Sequence, residues 1–168
     1  MVIDDLLSNV RALHRGLLDG SLMREVLEPH GNDIVEQQRI QLLEGKGSDG
    51  EDLRPYYTED IKPRGYFRTR ESAQRYAAWK GTLSYPYSVR RNSDAPNLYV
   101  TGVFHSEIGV EFGAEAVGIV PDTAYATRIM NKYGRNSFGL SLDRWGVIFD
   151  EKGAKDELIN KMRQIIWQ

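Results

Sequence analysis

The sequence contains no cysteine. Disulfide frameworks, thiolate metal sites and thiol nucleophiles are therefore excluded together. Small secreted domains usually need such cross-links, so their absence favours a protein that folds inside a cell. No apolar run reaches the length needed to cross a bilayer. The first five residues carry two acids and no basic group, unlike a signal peptide. Together these absences predict a protein without a membrane partner.

A glycine motif typical of nucleotide-binding proteins is present, but the elements around it are not those that such a site needs. Residues 45–50 match G-x-G-x-x-G in letters. The dinucleotide fingerprint works between a strand and a helix, where the helix N-terminus meets the pyrophosphate. Here a helical pattern precedes the glycines and a proline-containing loop follows them. The segment therefore predicts a turn, and the sequence predicts no cofactor.

The candidate catalytic and metal-binding side chains are scattered. His14, His30 and His105 lie on separate elements, and none has metal-ligand spacing to another histidine or to a patterned carboxylate. Glu59 and Asp60 are adjacent, and adjacent side chains of an extended segment point in opposite directions. A hydrolase would need a pocket that joins one of these acids to His105, and no motif indicates one. The sequence predicts no catalytic residues, no metal site and no enzyme activity.

What is present is the composition of one ordinary globular domain. Of 168 residues, 40% are hydrophobic and 27% charged, which argues against disorder along most of the chain. We predict a single domain over residues 1–168. Residues 1–44 read as helical, residues 45–97 as a turn and an extended arm with one short helix, and residues 98–168 as a β-hairpin plus helices.

The hydrophobic periodicity indicates the elements. Apolar residues at helical spacing predict helices over residues 3–18, 71–80 and 123–132, and from residue 154 to the C-terminus. A further helix is predicted to begin at a cap formed by Asn32 or Asp33 and to end at about residue 43. Alternation over residues 107–120 predicts the hairpin. Residues 98–103 and 139–141 read as further short strands. The predicted fold class is α+β, with a small, mostly antiparallel sheet packed by the N- and C-terminal helices and a long extended arm.

Charge is distributed unevenly along the chain. Residues 54–91 contain nine lysines and arginines but only three acids, so a basic middle separates two acidic ends. Tyrosine and tryptophan interleave with these basic residues, and Tyr and Arg are enriched at protein–protein hot spots. The candidate subunit or partner interface is Tyr56, Tyr57, Arg64, Tyr66, Phe67, Arg68, Arg70, Trp79, Tyr85, Tyr87, Arg90 and Arg91.

Two other readings of the basic segment remain open. Aromatic stacking combined with phosphate contacts would serve a nucleic acid, so a nucleic-acid-binding protein that uses residues 54–91 is the alternative. An ordinary solvated surface is the third reading. The sequence pI of about 5.9 and the absence of a DNA- or RNA-binding motif favour the protein interface.

The C-terminal half carries short motifs in a distinctive order. A leucine precedes Thr-Gly, a segment ending in Ser-x-Ile follows, and two strands, a Tyr-Ala helix closing on glycine and a Phe-Gly-Leu-Ser segment come next. These motifs are Leu98, Thr101-Gly102, Ser106-Glu107-Ile108, 109–112, 116–120, Tyr125-Ala126, Tyr133-Gly134 and 138–141. In this order the chain resembles the tail-completion and virion-morphogenesis (head–tail joining) proteins of tailed bacteriophages, including those of crAss-like phages.

The N-terminal half is similar to that family as well. A glutamine-rich helix with Gln37, Gln38 and Gln41 is followed by a glycine-rich break and then by the run Leu53-x-Pro55-Tyr56-Tyr57. The resemblance covers about three quarters of the chain. It departs at residues 135–137, where the family often has an Arg-Pro pair, and in a longer insertion over residues 66–97.

The resemblance implies a structural protein rather than an enzyme. Family members form an oligomeric ring at the head–tail (portal–tail) junction of the virion, completing the connector and the DNA channel. The expected partners are further copies of the chain, the portal or adaptor protein, the adjacent tail protein and double-stranded DNA in transit. Synthesis in the bacterial host cytoplasm and a final place in the virion follow from the same resemblance.

Overall fold

The computed structural model describes residues 3–56, 67, 69–89, 95–113, 116–121 and 126–167. Along these ranges the helices are α1 (Ile3–Leu18), α2 (Ser21–Leu27), α3 (Gly31–Glu44), α4 (Arg70–Gly81), α5 (Val103–Ser106), α6 (Ala126–Tyr133), α7 (Leu142–Gly146) and α8 (Ala154–Ile166). The strands are β1 (Ile108–Phe112) and β2 (Val117–Pro121). Short 3-10 turns span Glu28–His30 and Arg135–Ser137, and a π-helical turn spans Val147–Glu151.

The sheet of the described residues is one antiparallel hairpin. β1 pairs with β2 in a register that places Ile108 opposite Pro121 and Phe112 opposite Val117. Alternate side chains on β1 and β2 therefore share one face, and that face packs on the hydrophobic core through Val110, Phe112, Val117 and Ile119. The predicted hairpin over residues 107–120 is confirmed.

Helices surround this hairpin and complete an α+β fold, as predicted. The main core joins Val26 and Leu27 of α2 to Ile34 of α3 and to Ile148 of the π-helical turn. The final helix enters the same core through Ala154. The first helix is more peripheral, since Leu13 is its buried residue. It packs on α2 and α8.

Glutamine side chains of α3 form hydrogen bonds with the backbone of residues 139–141, which were predicted to form a strand. Residues 139–141 form no strand, so that prediction is wrong. Instead, Gln38 accepts a hydrogen bond from the Gly139 N–H (2.9 Å), and Gln41 donates to the Gly139 carbonyl (2.8 Å). Gln41 also accepts from the Ser141 N–H (2.8 Å). Side-chain amides thus satisfy the backbone groups that a sheet neighbour would otherwise satisfy.

Two further local predictions are wrong for backbone reasons. Leu98 has φ 52° and Gly102 has φ 85°, and left-handed backbone cannot continue a strand through residues 98–103. Neither Asn32 nor Asp33 caps α3, because the helix begins at Gly31 directly after the 3-10 turn and has no side-chain cap.

The remaining helix predictions agree with the structure. α4 extends the predicted helix over residues 71–80 by one residue at each end. It begins where the Thr69 hydroxyl accepts a hydrogen bond from the Ser72 N–H (3.3 Å). The last helix begins at the predicted residue, Ala154. α6 covers most of the predicted helix over residues 123–132, of which residues 123–125 lie outside the described residues.

Candidate functional site

Six of the twelve predicted interface residues lie within the described residues. Of these, Tyr56 is buried, Arg70 and Trp79 are exposed, and Phe67, Tyr85 and Tyr87 are half-buried. The other six lie outside the described residues: Tyr57, Arg64, Tyr66, Arg68, Arg90 and Arg91. The interface itself stays a prediction.

Three of the described residues meet in an aromatic cluster against α4. The Tyr56 ring contacts the Phe67 and Tyr76 rings, with centroids 6.2 and 5.3 Å apart. Phe67 and Tyr76 are 5.0 Å apart, and Trp79 lies 5.5 Å from Tyr76. Trp79 is 46% exposed, so the cluster presents one aromatic edge to solvent. Phe67 is thereby anchored to α4 by ring packing.

A cavity of about 490 Å³ adjoins this cluster. Aromatic and aliphatic side chains form most of its wall, and Arg128 and Lys132 of α6 also line it. Burial lowers the pKa of Lys132 below its ordinary value. The described lining residues include three cations, Lys80, Arg128 and Lys132, and no carboxylate. This part of the wall therefore suits an apolar group beside an anion.

A polar network extends from Lys80, which lines the cavity. Lys80 is 1% exposed, and its ammonium group donates to the Tyr99 carbonyl. The Tyr85 hydroxyl donates to the Lys80 carbonyl. His105 belongs to this network: it is buried, and its Nε2 lies 3.1 Å from the Asn97 carbonyl oxygen. Burial lowers the His105 pKa to about 4, and the positive charges of Lys80 and Arg39 act in the same direction. His105 is therefore neutral at pH 7.

The hairpin carries the second candidate site, a groove of about 670 Å³ between α3 and the outer edge of β1. We call it the β1 groove. Its helix wall includes Asn32, Glu36 and Arg39, and its strand wall includes Val110 and Phe112. Gly31 brings helix and strand close, because a Cβ there would lie 3.3 Å from the Val110 side chain. The two walls therefore run side by side.

Alternate backbone groups of β1 face the groove and have no backbone hydrogen-bond partner among the described residues. The Gly113 N–H donates to the Ala116 carbonyl (2.9 Å), and hydrogen-bonded pairs alternate along an antiparallel ladder. The N–H and C=O groups of Val110 and Phe112 consequently point away from β2. At the end of the strand, the Ile108 carbonyl points the same way and accepts from Arg39 (3.5 Å). A strand edge of this kind can accept another extended chain.

The guanidinium group of Arg39 fixes one end of the β1 groove. It also donates to the carbonyls of His105 (2.6 Å) and Ser106 (3.1 Å). Sequence analysis did not identify this residue, because its partners lie more than sixty positions away and are backbone atoms without a motif.

Segments that are far apart in the sequence meet at α3 and at the glycine-rich turn of residues 45–50. The glutamine-rich helix contacts the Phe-Gly-Leu-Ser segment through the hydrogen bonds of Gln38 and Gln41. The glycine-rich turn contacts residues 135–137, since the Ser48 N–H donates to the Asn136 carbonyl (2.7 Å) and the Asn136 amide donates to Asp49 (2.7 Å). Within the described ranges no group of three acidic, histidine or cysteine side chains could hold a metal ion. No helix there is long and apolar enough to cross a membrane.

No family model, curated protein or solved structure matches this chain.

Proposed function

We propose that this chain is a structural virion subunit that forms an oligomeric ring at the head–tail junction of a tailed bacteriophage. The ring completes the connector between the portal or adaptor protein and the adjacent tail protein, and double-stranded DNA passes through it. The subunit acts by assembly rather than by catalysis and needs no cofactor. Its site of synthesis is the host cytoplasm, and its final location is the virion.

The observation that carries the assembly proposal is the open edge of β1. A two-stranded hairpin is marginal by itself and gains stability from a further strand or a packed helix. Here α3 covers the side chains on one face, while the backbone groups of Val110 and Phe112 face the β1 groove. An extended segment of a neighbouring copy would add a third strand. Such a contact joins two different surfaces of the same chain, and it closes a ring when repeated about an axis.

Charge supports the basic middle segment of the neighbour as the occupant. The β1 groove contains the carboxylates of Glu28 and Glu36. Its cation, Arg39, is already hydrogen-bonded to three backbone carbonyls. Glu28 is paired with Arg24 (2.7 Å), so Glu36 supplies the negative charge towards an incoming chain, and residues 54–91 are the basic part of the sequence. Opposite charges steer such an encounter and fix its register.

Nucleic-acid binding through residues 54–91 is the alternative function. Among the basic side chains of that segment, Lys80 is buried against the Tyr99 carbonyl, so it cannot contact a phosphate. Arg54, Arg70 and Arg75 are exposed and could. Strong, salt-dependent DNA binding by the isolated subunit would support this alternative, whereas a connector through which DNA must slide is expected to bind DNA weakly.

Filling the β1 groove should block ring formation without unfolding the subunit. Asn32 is an exposed residue of that groove, and Asn32→Tyr introduces a side chain bulky enough to exclude an added strand. We expect the ring to form at least about tenfold more weakly. The free energy of unfolding should change by less than about 0.5 kcal/mol, as for most surface substitutions. Native mass spectrometry in the presence of the portal measures the ring, and chemical denaturation measures stability.

Asn160→Tyr is the matched control, since Asn160 is an exposed asparagine of α8, away from the residues that line the groove. It should assemble like the unmodified protein. Equal assembly by both variants would refute the β1 groove as the subunit contact.

A further inference from the structure

Helix α1 has two distinct faces. The face towards the protein contains Asn9, Leu13 and Gly16: the Asn9 amide donates to the Ile166 carbonyl (3.3 Å), Leu13 is buried, and Gly16 lies against Leu22. Most of the apolar side chains of the helix are elsewhere. They lie on a neighbouring face and are exposed to solvent, although they gave α1 its amphipathic pattern. The sequence of α1 thus contains more apolar surface than its own fold covers.

The exposed face has the spacing of a coiled-coil seam. We call it the α1 seam: Ile3, Leu7, Val10, His14 and Leu17, all exposed. Steps of four, three, four and three residues are those of the a and d positions of a heptad. Ile3 is 82% exposed, and Leu7, Val10 and Leu17 are each 45% or 46% exposed. Each of these side chains would gain hydrophobic stabilisation from burial against a facing helix.

We propose that the α1 seam is a docking surface for the α1 seam of a second copy, with the two helices antiparallel. In the register that places Leu7 opposite Val10 of the other copy, Ile3 lies opposite His14. Asp4 and Arg11 border the seam, directly after Ile3 and Val10. The same register places Asp4 of one copy next to Arg11 of the other. The twofold axis repeats each contact, so two Asp4–Arg11 pairs flank the dimer.

The charges select this arrangement over the other possible occupants. A parallel pair would place Arg11 beside Leu6 of the other copy and would form no Asp4–Arg11 pair. A membrane surface is disfavoured because the helix carries two acids and two bases, Asp4, Asp5, Arg11 and Arg15, whereas helices that bind membranes are rich in lysine and arginine on the polar face. The seam shares no residue with the β1 groove, so the contact can join two rings or two free subunits.

Charge exchange tests the register with variants that keep the seam intact. Asp4→Arg and Arg11→Asp each replace two attractions by two repulsions, and each alone should weaken self-association by about tenfold. At a protein concentration near the dissociation constant of the unmodified pair, each variant alone should then lower the mass measured by sedimentation velocity towards that of the single subunit or the single ring. Mixing the two variants should restore association. In the mixed pair, the arginine introduced at position 4 of one copy meets the aspartate introduced at position 11 of the other, and the second pair is the original Asp4–Arg11 pair.

A second substitution tests the hydrophobic seam. His14→Leu replaces the one polar seam side chain with an apolar one and should tighten association by about tenfold. Ser8→Leu is the control, since Ser8 is exposed on the opposite, polar face of α1, and it should not tighten association. The proposal is overturned if the charge variants associate like the unmodified protein, if their mixture gains nothing, or if the chain stays monomeric and binds anionic lipid vesicles instead. Asn32→Tyr in the β1 groove should leave the seam contact unchanged, so failure of the ring proposal would be distinguishable.

Discussion

Replacing Gln41 with alanine is expected to lower the free energy of unfolding by about 3 kcal/mol. Gln41 is 1% exposed, and its amide pairs with both the Gly139 carbonyl and the Ser141 N–H. Alanine would leave these two backbone groups buried without partners, and each such group costs about 1–3 kcal/mol. Urea denaturation followed by circular dichroism measures the change.

Two further variants separate hydrogen bonding from packing at this position. Gln41→Met keeps most of the volume but cannot satisfy either backbone group, so it should be nearly as destabilising as alanine. Gln74→Ala removes an exposed glutamine from α4 and should change stability by less than about 0.5 kcal/mol. A methionine variant as stable as the unmodified protein would show that the glutamine contributes volume rather than hydrogen bonds.

His105 should make the protein less stable as the pH falls from about 6.5 to about 4. Its pKa is lowered from 6.5 to about 4, first by burial and then by the nearby charges of Lys80 and Arg39. In that pH window the unfolded chain binds a proton that the folded chain does not, so stability is fully present above pH 6.5 and decreases with acidification. Such a shift corresponds to a loss of about 3 kcal/mol. Denaturation midpoints measured across this range report it.

His105→Gln should flatten this part of the pH profile, because glutamine does not titrate and can still donate to the Asn97 carbonyl. The carboxyl pKa values of Asp33 and Asp49 are lowered, the first chiefly by its contact with Lys152 and the second by Asn136. Their contributions are lost only as the pH falls below about 4, which separates them from the histidine. A His105→Gln profile identical to the unmodified one would contradict this explanation.

The local elements of this fold could be read from the sequence, because periodicity and capping are local. Apolar spacing identified α1 and α8, and strand alternation identified the β1–β2 hairpin. The failures come from contacts between distant residues. No local pattern shows that Gln38 and Gln41 would replace a sheet neighbour about one hundred positions away. The left-handed backbone of Leu98 is similarly a product of tertiary packing, since leucine alone disfavours it.

The candidate sites were less predictable than the fold. Residue type marked Tyr56 and Phe67 as interface candidates, but it could not distinguish packing within the chain, where both rings contact Tyr76, from packing against a partner. The open edge of β1 and the solvent exposure of the α1 seam depend on which face of each element the rest of the chain covers. Residue spacing identifies the apolar face of a helix. Whether that face is buried or exposed can be determined only from the folded structure.

The measurement that tests the assembly account most directly is the mass of the purified protein, alone and with the portal assembly, together with its location in purified virions. We predict a ring in solution, or a smaller species that becomes a ring on the portal, and its presence at the head–tail junction. A chain that ignores the portal and is absent from virions would contradict the account, and DNA binding by residues 54–91 would then be measured next.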